Sequence, residues 1–307
     1  DQPPPTHWRH QHRQSPQIHR QRSRPGPQTT PDNLKHDFDG TLRAPYDDPE
    51  VRKALSMSID RDAITEIAMN NYTHPADCTG LSDAYNSWRD EALVASCVWT
   101  KRDIEAAKAK FDELGFKAGV DGTRTLPDGS PWNVEISVMS SSSDWVSATN
   151  IIVQNLAEVG VKATVNSIDA GAIIAAFENG DFDTGIVWSS GGPTPYQFYR
   201  GAMSEETVSG TKYENYHLFG SPEATELLSQ FAASSDEAQQ KEIVNKLQAL
   251  FNELAPVVPL YPGPEWGSYS TERFTGWPSA DNPYATLSYR AGTTVLVLTS
   301  LEPVAAE

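Results

Sequence analysis

Beyond residue 36 the chain has two histidines, His74 and His217, for acid–base work near neutral pH. Neither sits at a spacing that places it beside a nucleophile. No HExxH, no P-loop, no strand-linked GxGxxG and no GxSxG occurs, so metalloprotease, nucleotide and hydrolase chemistry have no carrier here. The other five histidines, His7, His10, His12, His19 and His36, are irregularly spaced in a Pro/Gln/Arg/Ser-rich opening, which reads as a solvated arm rather than a metal tract. Asp121-Gly122 and Asp128-Gly129 hint at calcium, but the EF-hand ligand series and its closing Glu are missing, so turn chemistry is the reading. Cys78 and Cys97 fit no zinc spacing; they are either two buried thiols or one disulfide. No cofactor and no metal is expected.

Aromatic side chains carry more information. Trp88, Trp99, Trp132, Trp145, Trp188, Trp266 and Trp277 follow the opening arm, and several fall at strand ends or in loops rather than on apolar helix stripes. Trp188 closes a β-branched run and starts a Gly/Pro-rich stretch holding Tyr196, Gln197, Phe198 and Tyr199. Trp266 lies in PGPEWGSY and Trp277 in FTGWPSADNPY. Flat amphipathic rings suit ligand clefts and the C–H faces of sugar rings. Any one of them could simply pack its own loop; the group is expected to supply at least two cleft residues.

The elements that would position them are legible from caps and periods. Asp48-Pro49-Glu50 opens a helix through Val51, Ala54 and Leu55, and Asp60 caps a second. Residues 71–99 read as irregular. Thr100 with Asp103 forms a capping box before a helix that stops at Gly115. The two Asp-Gly turns suggest a hairpin of 123–126 with 131–139. Helix 144–159, strand 161–168, helix 170–179 and strand 183–188 then alternate, which is an α/β signature. Residues 189–220 read as one long loop, and loops of that length are usually functional. Ser221 and Asp236 open two helices, the second with an apolar stripe from Ile243 to Leu254. Residues 257–261 and 293–301 read as strands.

Hydrophobic residues make up 38% and charged residues 21% of the 307 residues, a composition that folds. The net charge of −17 disfavours nucleic acid and anionic membranes as partners. No apolar run reaches the ~20 residues that span a bilayer. Residues 1–36 reverse the sign, with Arg9, Arg13, Arg20, Arg22, Arg24 and Lys35 against Asp1 and Asp32, so a boundary is expected there. Residues 1–40 are read as a disordered or non-native arm. Their Arg/Pro/His/Gln/Ser bias is also what out-of-frame reading of a GC-rich gene yields.

PYDDPEVRKALSMSIDRDAI (45–64) is similar to a signature of family 5 extracellular solute-binding proteins. AKAKFDELGF, the DG…PDGSPW segment, GDFDTGIVW and EIVNKLQALFNELAPVVPLYPGPEW follow in that family's order, and the likeness runs from about Leu42 to Val304. The resemblance implies an α/β protein of the type II periplasmic-binding fold, with two lobes that close on a ligand by a hinge. It implies an extracellular or periplasmic location and delivery of ligand to an ABC permease in the membrane. A monomer is expected. Residues 41–256 would be the C-terminal lobe, and 257–307 a return strand and tail that pack on an N-terminal lobe missing here. Export would make the Cys78–Cys97 disulfide the expected state.

The resemblance also bears on the ligand. Peptide-binding members follow the strand-end Trp with an Asp that pairs with the peptide amine. Here Trp188 is followed by Ser189, Ser190, Gly191, Gly192 and Pro193, and no acid occurs before Glu205. A buried ammonium without its counter-charge is costly. GGPTPYQFYRG and TGWPSADNPYA look more like the cello-oligosaccharide-binding branch. The expected ligand is therefore a β-linked oligosaccharide, held by Trp188, Tyr196, Gln197, Tyr199, Trp145, Asp144, Trp266, Trp277 and Asn282. The alternatives are an oligopeptide-binding member, a truncated chain without activity of its own, and a carbohydrate-active enzyme with an acid pair, which turnover of cellodextrins would reveal.

Overall fold

The computed structural model describes residues 7–12, 17–21, 44–208, 215–279, 281–285 and 292–304. The strands in chain order are β1 (His7–His12), β2 (Gln17–Gln21), β3 (Asn133–Met139), β4 (Lys162–Ile168), β5 (Phe182–Val187), β6 (Val258–Pro259), β7 (Pro264–Tyr269), β8 (Phe274–Thr275) and β9 (Glu302–Pro303). The α-helices are α1 (Pro49–Ser58), α2 (Arg61–Ala63), α3 (Glu91–Ser96), α4 (Ile104–Glu113), α5 (Ser143–Glu158), α6 (Ala170–Asn179), α7 (Tyr196–Met203), α8 (Pro222–Ala233), α9 (Glu237–Leu254) and α10 (Thr294–Ser300). The chain forms two compact units, Gln14–Pro262 and Asp1–Arg13 with Gly263–Glu307.

In the larger unit a five-stranded sheet runs in the order β4-β3-β5-β2-β6. β3 pairs parallel with β4 on one side and β5 on the other. Val134, Ile136 and Val138 alternate onto one face and are buried with Ala148, Ile152 and Leu156 of α5. On the other face Phe177 of α6 lies against Gly185, where an added Cβ would sit 2.6 Å from the ring, so glycine is required. The helices begin where short polar caps allow. Asp48 accepts from the Glu50 amide, Asp169 from Gly171 and Ala172, Ser221 from Ala224 and Asp236 from Gln239. Gly180 ends α6 in the left-handed region at φ +70°.

Two arginines within the signature segment are structural. Arg52 is buried and donates to the carbonyls of Tyr46, Asp47, Leu254 and Ala255, which ties α1 to the C-terminus of α9. Arg61 is buried and donates to Pro259 O, Ser56 O, Thr100 O and Ser56 Oγ. Burial lowers the Arg61 pKa to about 9.

Several local expectations differ from the structure. Asp103, not Thr100, is the cap of α4 and accepts from Ala106 N at 2.9 Å. The 123–126/131–139 hairpin shrinks to isolated bridges, because β3 is taken up by the parallel sheet. The stretch 71–99 contains a short 3-10 turn, Asp83–Trp88, and α3. The long loop after Trp188 contains α7, whose Phe198, Tyr199, Ala202 and Met203 are buried. Gly191, Gly192, Pro193 and Pro195 had marked the region as loop, yet they all precede α7, whose buried face decides its conformation. The run 293–301 is helix α10 rather than a strand. Its β-branched residues favour strands only when neighbours pack on them, and among the described residues no strand pairs with it.

Two stretches of the expected disordered or non-native arm, His7–His12 and Gln17–Gln21, are strands, and the rest of 1–40 lies outside the described residues. β1 pairs with β7 in the smaller unit, and β2 enters the sheet of the larger unit between β5 and β6. Ladder hydrogen bonds come from the backbone, so a polar segment such as QIHRQ can fill a strand position that hydropathy does not show. The boundary also moves from 256 to Pro262. Residues 257–262 stay with the larger unit because β6 pairs with β2 and Ala76 N donates to Leu260 O.

Candidate functional site

β3 and β5 lie side by side and parallel, and the chain leaves their carboxyl ends in different directions. From β3 it passes through α5 to β4; from β5 it goes on towards α7. Such a switch point is where open α/β sheets receive ligands. Trp145, in the first turn of α5, and Trp188, just past β5, meet there with ring centroids 6.2 Å apart at 35°. Both indoles are half-buried. Trp145 packs against the main core. Trp188 is backed edge-on by Tyr216 at 6.5 Å, and Tyr216 leans on Phe177 at 5.4 Å. Tyr216 and Phe177 belong to a separate core with Ile173, Phe182 and Val187. The two rings thus rest on two different supports.

Asp144 precedes Trp145 and is half-buried. Within the electrostatic reach of Asp144 is Tyr261, fully buried, whose hydroxyl has no hydrogen-bond partner among the described residues. Burial first, and the Asp144 charge second, push the Tyr261 phenol far above its ordinary pKa. The hydroxyl therefore stays protonated.

The stretch after Trp188 is anchored twice. The Tyr85 hydroxyl donates to Gly192 O at 2.8 Å and accepts from Gly192 N at 3.0 Å. Farther on, Tyr196 stacks on Phe231 at 5.6 Å and Gln197 packs over Gly192, where an added Cβ would meet Gln197 Cγ at 2.6 Å.

Of the residues singled out in the sequence, Asp144, Trp145 and Trp188 come together, and Tyr196 and Gln197 open α7 just beyond. Tyr199 is a correction: it is fully buried between Phe198 and Phe251, and its hydroxyl donates to Thr79 O at 3.0 Å. Its ring serves packing and offers no face to a ligand. Trp266, Trp277 and Asn282 belong to the smaller unit. There Trp266 lies on β7, Trp277 stacks on Tyr269 at 5.0 Å and donates to Phe274 O, and Asn282 closes a backbone turn with Ser279. Trp99 and Trp132 are core residues. Cys78 and Cys97 are paired as a disulfide, with Cα atoms 6.2 Å apart. No group of three or more His, Cys, Asp or Glu among the described residues could hold a metal ion.

Tyr85, Tyr216 and Tyr261 were not singled out. Nothing local marks them, since each gains its place from a partner distant in sequence.

The chain matches the family described as bacterial extracellular solute-binding proteins, family 5 Middle, over residues 2–210. The di/tripeptide-binding protein 2 of Pseudomonas aeruginosa is 23% identical over 228 residues, covering 72% of this chain and 38% of that protein. The glutathione-binding protein of Escherichia coli is 23% identical over 232 residues, covering 70% of this chain and 40% of that protein. A mannohexaose-bound periplasmic oligopeptide-binding protein of an ABC transporter from Thermotoga maritima shares the fold, with a TM-score of 0.82 at 23% identity. That match covers 96% of this chain and 53% of the solved one. The chain thus spans about two fifths of the length of those curated relatives, 38% and 40%, and 53% of the solved structure.

Proposed function

The chain belongs to the bacterial extracellular solute-binding proteins of family 5, with their type II periplasmic-binding fold, and from that premise we propose that it carries the ligand-binding surface of an ABC importer's substrate-binding protein and that its ligand is an oligosaccharide. The observation that carries this reading is the half-buried Trp145–Trp188 pair at the switch point of the sheet. Indole faces stack on the C–H faces of sugar rings, while polar neighbours take the hydroxyls. Asp144, Gln197 and the first turn of α7 supply those neighbours. A β-linked, cello-oligosaccharide-like chain fits two tilted ring platforms. The mannohexaose held by the Thermotoga maritima relative is in keeping with a sugar. The protein would bind without turnover and, as a monomer outside the cytoplasm, pass its ligand to a membrane permease. No helix among the described residues is long and apolar enough to cross a membrane.

One observation favours a second reading, an oligopeptide. Asp144 is a half-buried carboxylate beside the tryptophan pair and could receive a peptide amine. The named ligands of the curated relatives, di/tripeptides and glutathione, are peptides.

Tryptophan fluorescence separates the two. The chain is titrated with cellobiose through cellopentaose and mannohexaose, and in parallel with di- and tripeptides and glutathione. A saturable shift with sugars, lost in Trp188→Ala, is the expected result. Saturation with peptides alone, abolished by Asp144→Asn, would establish the second reading. Silence towards both sets would overturn the assignment of a binding surface to this chain.

A further inference from the structure

The segment that leaves Trp188 reads SSGGPTP and has no regular structure before α7 begins at Tyr196. Gly191, Gly192 and Pro193 are exposed. Glycines lose the most conformational freedom on ordering, so a loop with two adjacent ones needs something outside itself to hold one shape. The phenol of Tyr85 does this. It donates to the carbonyl of Gly192 and accepts from the amide of the same residue, satisfying both backbone groups with one oxygen.

We propose that Tyr85 is a positioning residue, which holds the Gly191–Gly192–Pro193 loop and the Gln197 side chain above it in the shape a ligand on Trp188 meets. This rests on the reading of Trp145 and Trp188 as the ligand surface. Tyr85 is itself held. It is buried on the turn Asp83–Trp88, and its amide donates to Ser82 O at 2.9 Å. Asp83 of that turn pairs with His74 at 2.9 Å. Arg89, just past the turn, pairs with Asp77 at 3.3 Å and donates to Leu81 O at 2.8 Å. The same stretch docks α7. Tyr199 donates to Thr79 O, and Phe198 fills the space beside Gly80, where an added Cβ would sit 2.6 Å from its ring. The Cys78–Cys97 bridge tethers this stretch to the chain beyond α3. Residues 77–89 therefore act as one brace under the loop and the helix that follows it. Tyr85 is the brace's contact with the backbone of the loop itself.

Tyr85→Phe keeps the buried ring and removes only the oxygen. Two readouts are made on the full chain. Hydrogen–deuterium exchange of residues 189–195 does not require a ligand; fluorescence titration with mannohexaose and cellopentaose, and with a tripeptide, gives the Kd. The expected result is exchange at Gly192 faster by about tenfold, with exchange elsewhere in the chain unchanged, and a Kd weakened by about tenfold, as the loss of one well-placed hydrogen-bonding group allows. Unchanged exchange over 189–195 would overturn the clamp. Faster exchange with an unchanged Kd would overturn the positioning role. If the wild-type chain binds none of the probes, the ligand reading fails, and the exchange measurement alone still decides whether Tyr85 holds the loop.

Discussion

Replacing His217 with glutamine should remove a defined part of this protein's acid sensitivity. His217 is 1% exposed, and its Nε2 donates to the carbonyl of Ala202 in α7 at 2.8 Å. Burial lowers its pKa from 6.5 to about 4, the Ala202 bond opposes the shift, and the nearby Arg52 charge adds to it. The folded value lies below the unfolded one, so the unfolded chain takes up the proton first as the pH falls. The contribution of this residue to stability is intact above pH 6.5 and is lost progressively towards pH 4. A shift of that size corresponds to about 3 kcal/mol once both states are protonated, and to about 2 kcal/mol at pH 5. Glutamine can keep the donor to Ala202 O but does not titrate. Urea denaturation followed by tryptophan fluorescence at pH 7 and pH 5 measures the difference. The wild type should lose about 2 kcal/mol more than His217→Gln over that interval. Equal losses in the two proteins would refute the reasoning, as would an imidazole that nuclear magnetic resonance finds titrating near pH 6.5 in the folded chain.

Two further outcomes are expected. Arg61→Met should destabilise the larger unit by about 3 kcal/mol, read as a lower urea midpoint, because Pro259 O, Thr100 O and both oxygens of Ser56 lose a buried donor. The oxidised chain should show a mass two hydrogens lower than the reduced one, and Cys78→Ser with Cys97→Ser should cost about 3 kcal/mol, the value for closing a loop of about 20 residues, given a sequence separation of 19.

How much could be read in advance depends on how far apart the interacting groups lie. The caps at Asp48, Ser221 and Asp236 and the α/β alternation from 143 to 187 were legible. In each, the donor, acceptor or apolar stripe lies within a few residues of its partner. Trp188 was singled out for the same reason: a strand period ended there and a Gly/Pro run began. The order of such segments was also enough for the family.

Tertiary structure decided the rest. Tyr196 and Tyr199 stand three apart on the same short helix. One stacks on Phe231 and stays half-exposed; the other is sealed beneath Phe251, and no local pattern distinguishes them. Trp145 meets Trp188 across 43 residues only because β3 and β5 are neighbours in the sheet. β2 was invisible because its place comes from backbone hydrogen bonding, to which QIHRQ contributes as well as any apolar run. Tyr85 and Gly192 lie 107 positions apart. By itself the sequence determined what local hydrogen bonds and side-chain period can specify: where the capped helices with a clear apolar stripe begin, and which fold they serve. Which aromatic faces remain open to a ligand was settled by long-range packing, since exposure depends on what the rest of the chain lays against each ring.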